Sequence, residues 1–75
     1  MAVPYTIEKV IAEISDNGSA SKRLTLTSWN GYPAKLDLRT WIKDGDQIKP
    51  GKGLTFSEEE ARALAEALQR HIQGQ

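Results

Sequence analysis

Residues 22–41, KRLTLTSWNGYPAKLDLRTW, contain two alternating segments separated by a turn. A β-strand sends successive side chains to opposite faces, so residues two apart share a face. In residues 22–29, Leu24 and Leu26 fall on one face, and Arg23, Thr25, Thr27 and Trp29 on the other. Residues 30–33 (NGYP) have turn chemistry. Residues 34–41 alternate again, with Ala34, Leu36 and Leu38 opposed to Lys35, Asp37, Arg39 and Trp41. Each segment is therefore predicted to be a strand with an aliphatic face and a polar face that carries cations and ends in tryptophan.

The flanking sequence extends this pattern. Residues 5–14 are rich in β-branched side chains (Thr6, Ile7, Val10, Ile11, Ile14) and read as a strand. Ile7 and Ile11 fall on one face and Val10, Ala12 and Ile14 on the other, as in a twisted or bulged strand. Residues 16–21 (DNGSAS) form a turn around Asn17-Gly18. Residues 43–53 (KDGDQIKPGKG), with three glycines and a proline, read as a loop, leaving residues 54–56 for a short strand. Ser57 then caps a helix, with Glu60 completing a capping box and Glu58 and Glu59 complementing the helix dipole. Ala61, Leu64, Ala65, Leu68 and Ile72 recur at helical spacing as one apolar stripe, and Gly74 ends the helix.

The predicted order is β-β-β-β-α, an α+β fold in which a C-terminal helix follows a four-stranded antiparallel meander. The helix stripe is expected to cover the aliphatic face of the central strands. The other face is expected to stay open, bearing Arg23, Thr25, Thr27, Trp29, Lys35, Arg39 and Trp41.

At 75 residues the chain has room for one domain, spanning 1–75. Chains this short bury a small share of their surface and need a further stabiliser. There is no cysteine, and His71 is the one histidine, so disulfides and thiolate metal sites are excluded and no cofactor or metal is expected. Oligomerisation remains, and a homodimer is predicted. No apolar run approaches the ~20 residues of a membrane helix. Residues 1–5 lack the basic start and apolar stretch of a secretory signal, so a cytoplasmic address is expected.

Net charge is zero, but it is unevenly spread. Residues 1–21 sum to −2, residues 22–52 to +4 and residues 53–75 to −2. Phosphate binding responds to local field, which the central basic block supplies. Single-strand binders combine a cationic track for phosphates with aromatic rings that stack on bases. The polar faces of residues 22–29 and 34–41 carry both. Lys22, Arg23, Lys35, Arg39, Lys49 and Lys52 are candidate phosphate contacts, and Trp29 and Trp41 are candidate stacking platforms or, alternatively, parts of a second core or a dimer contact. Thr25 and Thr27 are candidate hydrogen-bond donors, and Tyr32, at a turn tip, is a better candidate for base contact than Tyr5. Asp37, among cations, reads as an ion-pair partner. The chain lacks a cysteine nucleophile, paired histidines, a Walker loop and a dinucleotide fingerprint, so no enzyme is expected. Tryptophan and arginine also make protein hot spots, so a protein-interaction module using the same face is the alternative. A single-stranded RNA binder is a second alternative.

Residues 35–39 (KLDLR), Trp41, the acidic-glycine turn, residues 48–56 (IKPGKGLTF) and the capped helix resemble the transcriptional coactivator positive cofactor 4 family. Residues 28–31 (SWNG) resemble its small bacterial YdbC-type members. The likeness spans residues 5–72. It implies a curved four-stranded antiparallel sheet and a helix, paired into a homodimer through the helices, with single-stranded DNA or unwound duplex across the sheets. It further implies a role in transcription, replication or repair, and nucleoid association in a bacterial cytoplasm. By motif position Trp29, Arg39, Trp41 and Lys52 match family positions, whereas the role of Lys35 rests on strand period. The acidic, serine-rich extension of the eukaryotic coactivator has no counterpart, and the loop before Leu54 carries one basic residue fewer.

Overall fold

Between Trp29 and Tyr32 the chain reverses through Asn30 (φ 56°) and Gly31 (φ 79°), and Tyr32 N–H donates to the Trp29 carbonyl at 3.0 Å. Two consecutive left-handed residues match the right-handed twist of adjoining strands, and Asn-Gly accepts them at least steric cost. At the preceding turn the Asp16 and Asn17 side chains accept from the N–H groups of Gly18, Ser19 and Ala20 at 2.8–2.9 Å. These local reversals make neighbours of consecutive strands.

The computed structural model describes residues 4–74; Met1–Val3 and Gln75 lie outside the described residues. The elements are β1 (Tyr5–Asp16), β2 (Ala20–Trp29), β3 (Lys35–Asp44), β4 (Gln47–Phe56) and α1 (Glu58–Gln73). The strands form one antiparallel sheet in the order β1-β2-β3-β4, the predicted meander and helix.

Residues 43–53, expected as a loop, are mostly strand. β3 runs on to Asp44 and β4 begins at Gln47. β4 lies at the sheet edge, where an absent N–H is tolerated, so Pro50 can stand opposite Trp41. The register slips between Arg39 and Trp41. Gly53 faces Arg39 so closely that a Cβ there would overlap the Arg39 Cβ and lie 2.6 Å from the Leu38 carbonyl oxygen. The composition that resembled a loop instead permits a bulge and a close backbone approach.

The polar face is open only in part. Trp41 stands opposite Ser21, eight positions along β2 from Trp29, or about 26 Å of extended strand. Yet the two indole rings lie 6.3 Å apart, nearly parallel at 8°. The sheet must therefore curl strongly toward its polar face, helped by three register shifts in β1 that bend that strand. Tyr5, paired with Trp29, packs at 5.3 Å from the Trp29 ring and 5.4 Å from that of Trp41. Trp41, Thr25, Thr27 and Asp37 are consequently all 0% exposed.

Nor does the helix cover the aliphatic face. Its N-terminus forms the predicted capping box, with Ser57 Oγ accepting from Glu60 N–H at 3.2 Å and Ser57 N–H donating to Glu60 Oε1 at 2.8 Å. Beyond this cap no helix residue is buried. Leu24, Leu36 and Leu38 face Leu64 and Leu68 across an apolar groove of about 440 Å³. The Cα radius of gyration is 13.7 Å, against about 11 Å for a closed globule of this length. Among the described residues only Trp41 and Phe56 are buried apolar side chains. Ser57 alone connects β4 to α1, and the stripe and the central strands line the two sides of a groove without burying each other.

At the far end of the sheet Lys43 Nζ meets the Asp16 carboxylate at 2.7 and 2.9 Å, tying β1 to β3. Chiefly through this bond, and through the Gly18 N–H, the Asp16 carboxyl is held below its usual pKa. Because Gly53 has no room for a side chain, Gly53→Ala is expected to cost about 2 kcal/mol of stability. Urea unfolding measures this, and an unchanged midpoint would mean β4 pairs in another register.

Candidate nucleic-acid interface

Asp37 and Arg39 are two apart on β3 and so share the polar face. Asp37 is fully buried, and a carboxylate without water must find donors in the protein. Arg39 Nε donates to Oδ1 at 2.9 Å and Oδ2 at 3.2 Å, and Nη2 donates to Oδ2 at 2.9 Å. Trp29 Nε1 adds a bond to Oδ2 at 3.1 Å. Arg39 Nη1 donates to the Gly51 carbonyl at 2.8 Å, and the guanidinium lies over the Trp29 ring, 4.7 Å from its centroid. One carboxylate thus fixes an indole from β2 and a guanidinium from β3 that reaches to β4. Below them the Thr25 and Thr27 hydroxyls bond each other at 2.7 Å.

Beside this network a cleft of about 260 Å³ opens to solvent. It is lined by Thr27, Trp29, Tyr32 and Pro33 together with Lys35, Arg39 and Thr55. Tyr32 is 68% exposed and supplies the freest ring. Lys35 makes no ion pair among the described residues. On the polar face of β2 and β3 the one carboxylate is Asp37, so Arg23, Lys35 and Arg39 leave that face positive.

Of the sequence-predicted residues, the fold brings Thr27, Trp29, Lys35 and Arg39 together at the cleft, with Tyr32 beside them. It does not bring Trp41 there as a stacking platform: the curl and Tyr5 enclose that ring. Thr25 and Thr27 are also enclosed, and their hydroxyls are spent on each other. Arg23 stands opposite Arg39 and is half-buried. Its Nε, Ser21 Oγ and Trp41 Nε1 are buried polar atoms without a protein hydrogen bond. Lys22 lines the apolar groove with Leu24, on the face away from the cleft. Lys49 pairs with Asp44 at 3.0 Å at the hairpin end, and Lys52 is exposed beside the bulge. Sequence reasoning missed Thr55 and Pro33. The signal for Thr55 was its pairing with Asp37, which the glycines and proline of β4 disguised.

Asp37→Ala should therefore remove about 3 kcal/mol of stability, because it leaves a largely buried arginine unpaired. Asp37→Asn, which keeps an acceptor for Trp29, should lose less. Chemical denaturation of the two variants compares them; equal, small losses would mean the ion pair does not organise the face.

With fold and cleft in place, comparison with known proteins is direct. A protein of Treponema pallidum (strain Nichols), itself uncharacterized, is 37% identical over 65 residues, which cover 85% of this chain and 74% of the relative. The model of Transcriptional Coactivator p15 (PC4) matches residues 17–67, from the first turn through most of α1. That match takes in the Asp37–Arg39 pair, the bulged β4 and the capping box, and on it the chain belongs to the Transcriptional Coactivator p15 (PC4) family, a nucleic-acid-binding family with transcription-related roles.

Proposed function

We propose that this protein binds single-stranded DNA along its polar face, as a homodimer, without strong sequence specificity and without catalysing a reaction. The observation that carries this reading is the cleft: an exposed tyrosine ring, an indole and a cation without an ion pair, beside strands β2 and β3, whose one polar-face carboxylate is buried and bonded to Trp29 and Arg39. Stacking tolerates every base, since each has a π-face, and phosphate neutralisation is indifferent to sequence. Tyr32 is the principal stacking ring. Trp29, held by Asp37 and Arg39, is its rigid neighbour, and Trp41 backs Trp29 from inside. Lys35 and the remaining donors of Arg39 meet phosphate or base edges.

Binding is tested by anisotropy of a labelled mixed-sequence oligonucleotide over a range of salt. Tyr32→Ala should cost roughly 1–3 kcal/mol of affinity. Lys35→Met should reduce the slope of log K against log salt by about 0.7. Both residues are exposed, so the fold should survive either change. Absence of binding at low salt would sink the proposal.

The homodimer is supported by the unfinished aliphatic face. Leu64, Leu68 and Ile72 are 41–66% exposed, and the groove beside them is almost wholly apolar. A second copy laying its own stripe there would bury both surfaces in one two-fold contact. Light scattering should give twice the chain mass for the wild type and the single mass for Leu68→Glu. A monomeric wild type would overturn this part of the proposal.

A further inference from the structure

The cleft has a donor-to-acceptor imbalance that bears on which base it accepts. A guanidinium carries five N–H groups. In Arg39 the Nε–H, one Nη2–H and one Nη1–H are committed to Asp37 and the Gly51 carbonyl. Two N–H groups are left, and the Lys35 ammonium, which also lines the cleft, adds three more. The nearest carboxylate, Asp37, is 0% exposed and already accepts from Trp29 and Arg39, so it has nothing to offer a ligand. Thr27 is enclosed and bonded to Thr25. Among the exposed side chains of the lining, the Thr55 and Tyr32 hydroxyls can act in either sense.

A cleft lined by two cations and by no accessible carboxylate suits a base edge with two adjacent acceptors. Guanine presents such an edge through O6 and N7. Adenine has the same shape and stacking area, but its N6 amino group replaces the O6 acceptor with donors. In this cleft an amino group would meet the Lys35 and Arg39 cations, and among the lining side chains only the Thr55 and Tyr32 hydroxyls could accept from it. From this geometry we infer that the Tyr32–Lys35–Arg39 cleft is a single-base subsite that selects guanine over adenine. This inference rests on the single-strand reading above and adds discrimination at one nucleotide to a mode of binding that is otherwise indifferent to sequence.

The test uses three labelled strands with an oligodeoxythymidine background, carrying isolated guanine, adenine or hypoxanthine at the same positions, in lithium salt to prevent quadruplexes. Hypoxanthine keeps O6 and N7 but lacks the 2-amino group. The guanine and hypoxanthine strands should bind about tenfold more tightly than the adenine strand, the effect of one good base-edge contact. In Lys35→Met that ratio should shrink toward one, whatever happens to overall affinity, and circular dichroism verifies the fold. Equal binding of all three strands would overturn the subsite and leave single-strand binding standing. Hypoxanthine binding as weakly as adenine would also overturn it, since the contact would then be to the 2-amino group. Failure of every strand to bind would overturn both readings.

Discussion

A buried carboxylate organises the polar half of this molecule. Asp37 has no solvent, and its charge is tolerable only because Trp29 and Arg39 surround it with donors. Those donors come from two strands, and Arg39 extends the connection to a third through the Gly51 carbonyl. The bulge between Arg39 and Trp41, and the bare backbone of Gly53 opposite Arg39, follow from it: β4 must approach closely enough to receive the guanidinium. The network also sets the Trp29 ring and uses up three of the five Arg39 donors. What Arg39 has left to give a ligand is decided by what Asp37 takes.

The two faces of the sheet solve the problem of a small core differently. The polar face is completed within the chain: strong curl brings Tyr5, Trp29 and Trp41 into contact and buries the threonines between them. The aliphatic face is left with a groove, because α1 departs at its cap and packs little of its stripe against the strands. A chain with two buried apolar side chains among the described residues has little hydrophobic stabilisation of its own. The face proposed to bind nucleic acid is thus the self-sufficient one, held by charge-assisted bonds and stacked rings, and the unfinished face is the one proposed for a second copy.

The elements legible in the sequence were those determined by neighbours a few residues apart. Alternation in residues 22–29 and 34–41 depends on backbone pleat alone, so β2, β3 and their two faces could be read directly. The Asn30-Gly31 turn, the Ser57–Glu60 capping box and the apolar stripe of α1 are likewise local, and all are present. Asp37 as an ion-pair partner was readable because its cation sits two residues away on the same face. These features also placed Trp29, Lys35 and Arg39 side by side.

The tertiary structure decided what depends on pairing between distant segments. Glycine and proline in residues 43–53 suggest a loop by composition, yet at a sheet edge opposite Arg39 and Trp41 they make a strand. Whether Trp41 is a platform or a core residue was not readable from alternation, because curl is a property of the whole sheet and its bulges. The same holds for Thr25 and Thr27, polar residues that the curl encloses; Lys22, by contrast, shares its even position with Leu24, and alternation alone carries it to the other face. Sequence alone thus determined β2, the body of β3, the turns and the helix, with their faces and the chemistry they carry, since each is written in short-range periodicity. Which side chains remain accessible to a partner was settled by long-range register and curvature, which no window of neighbouring residues contains.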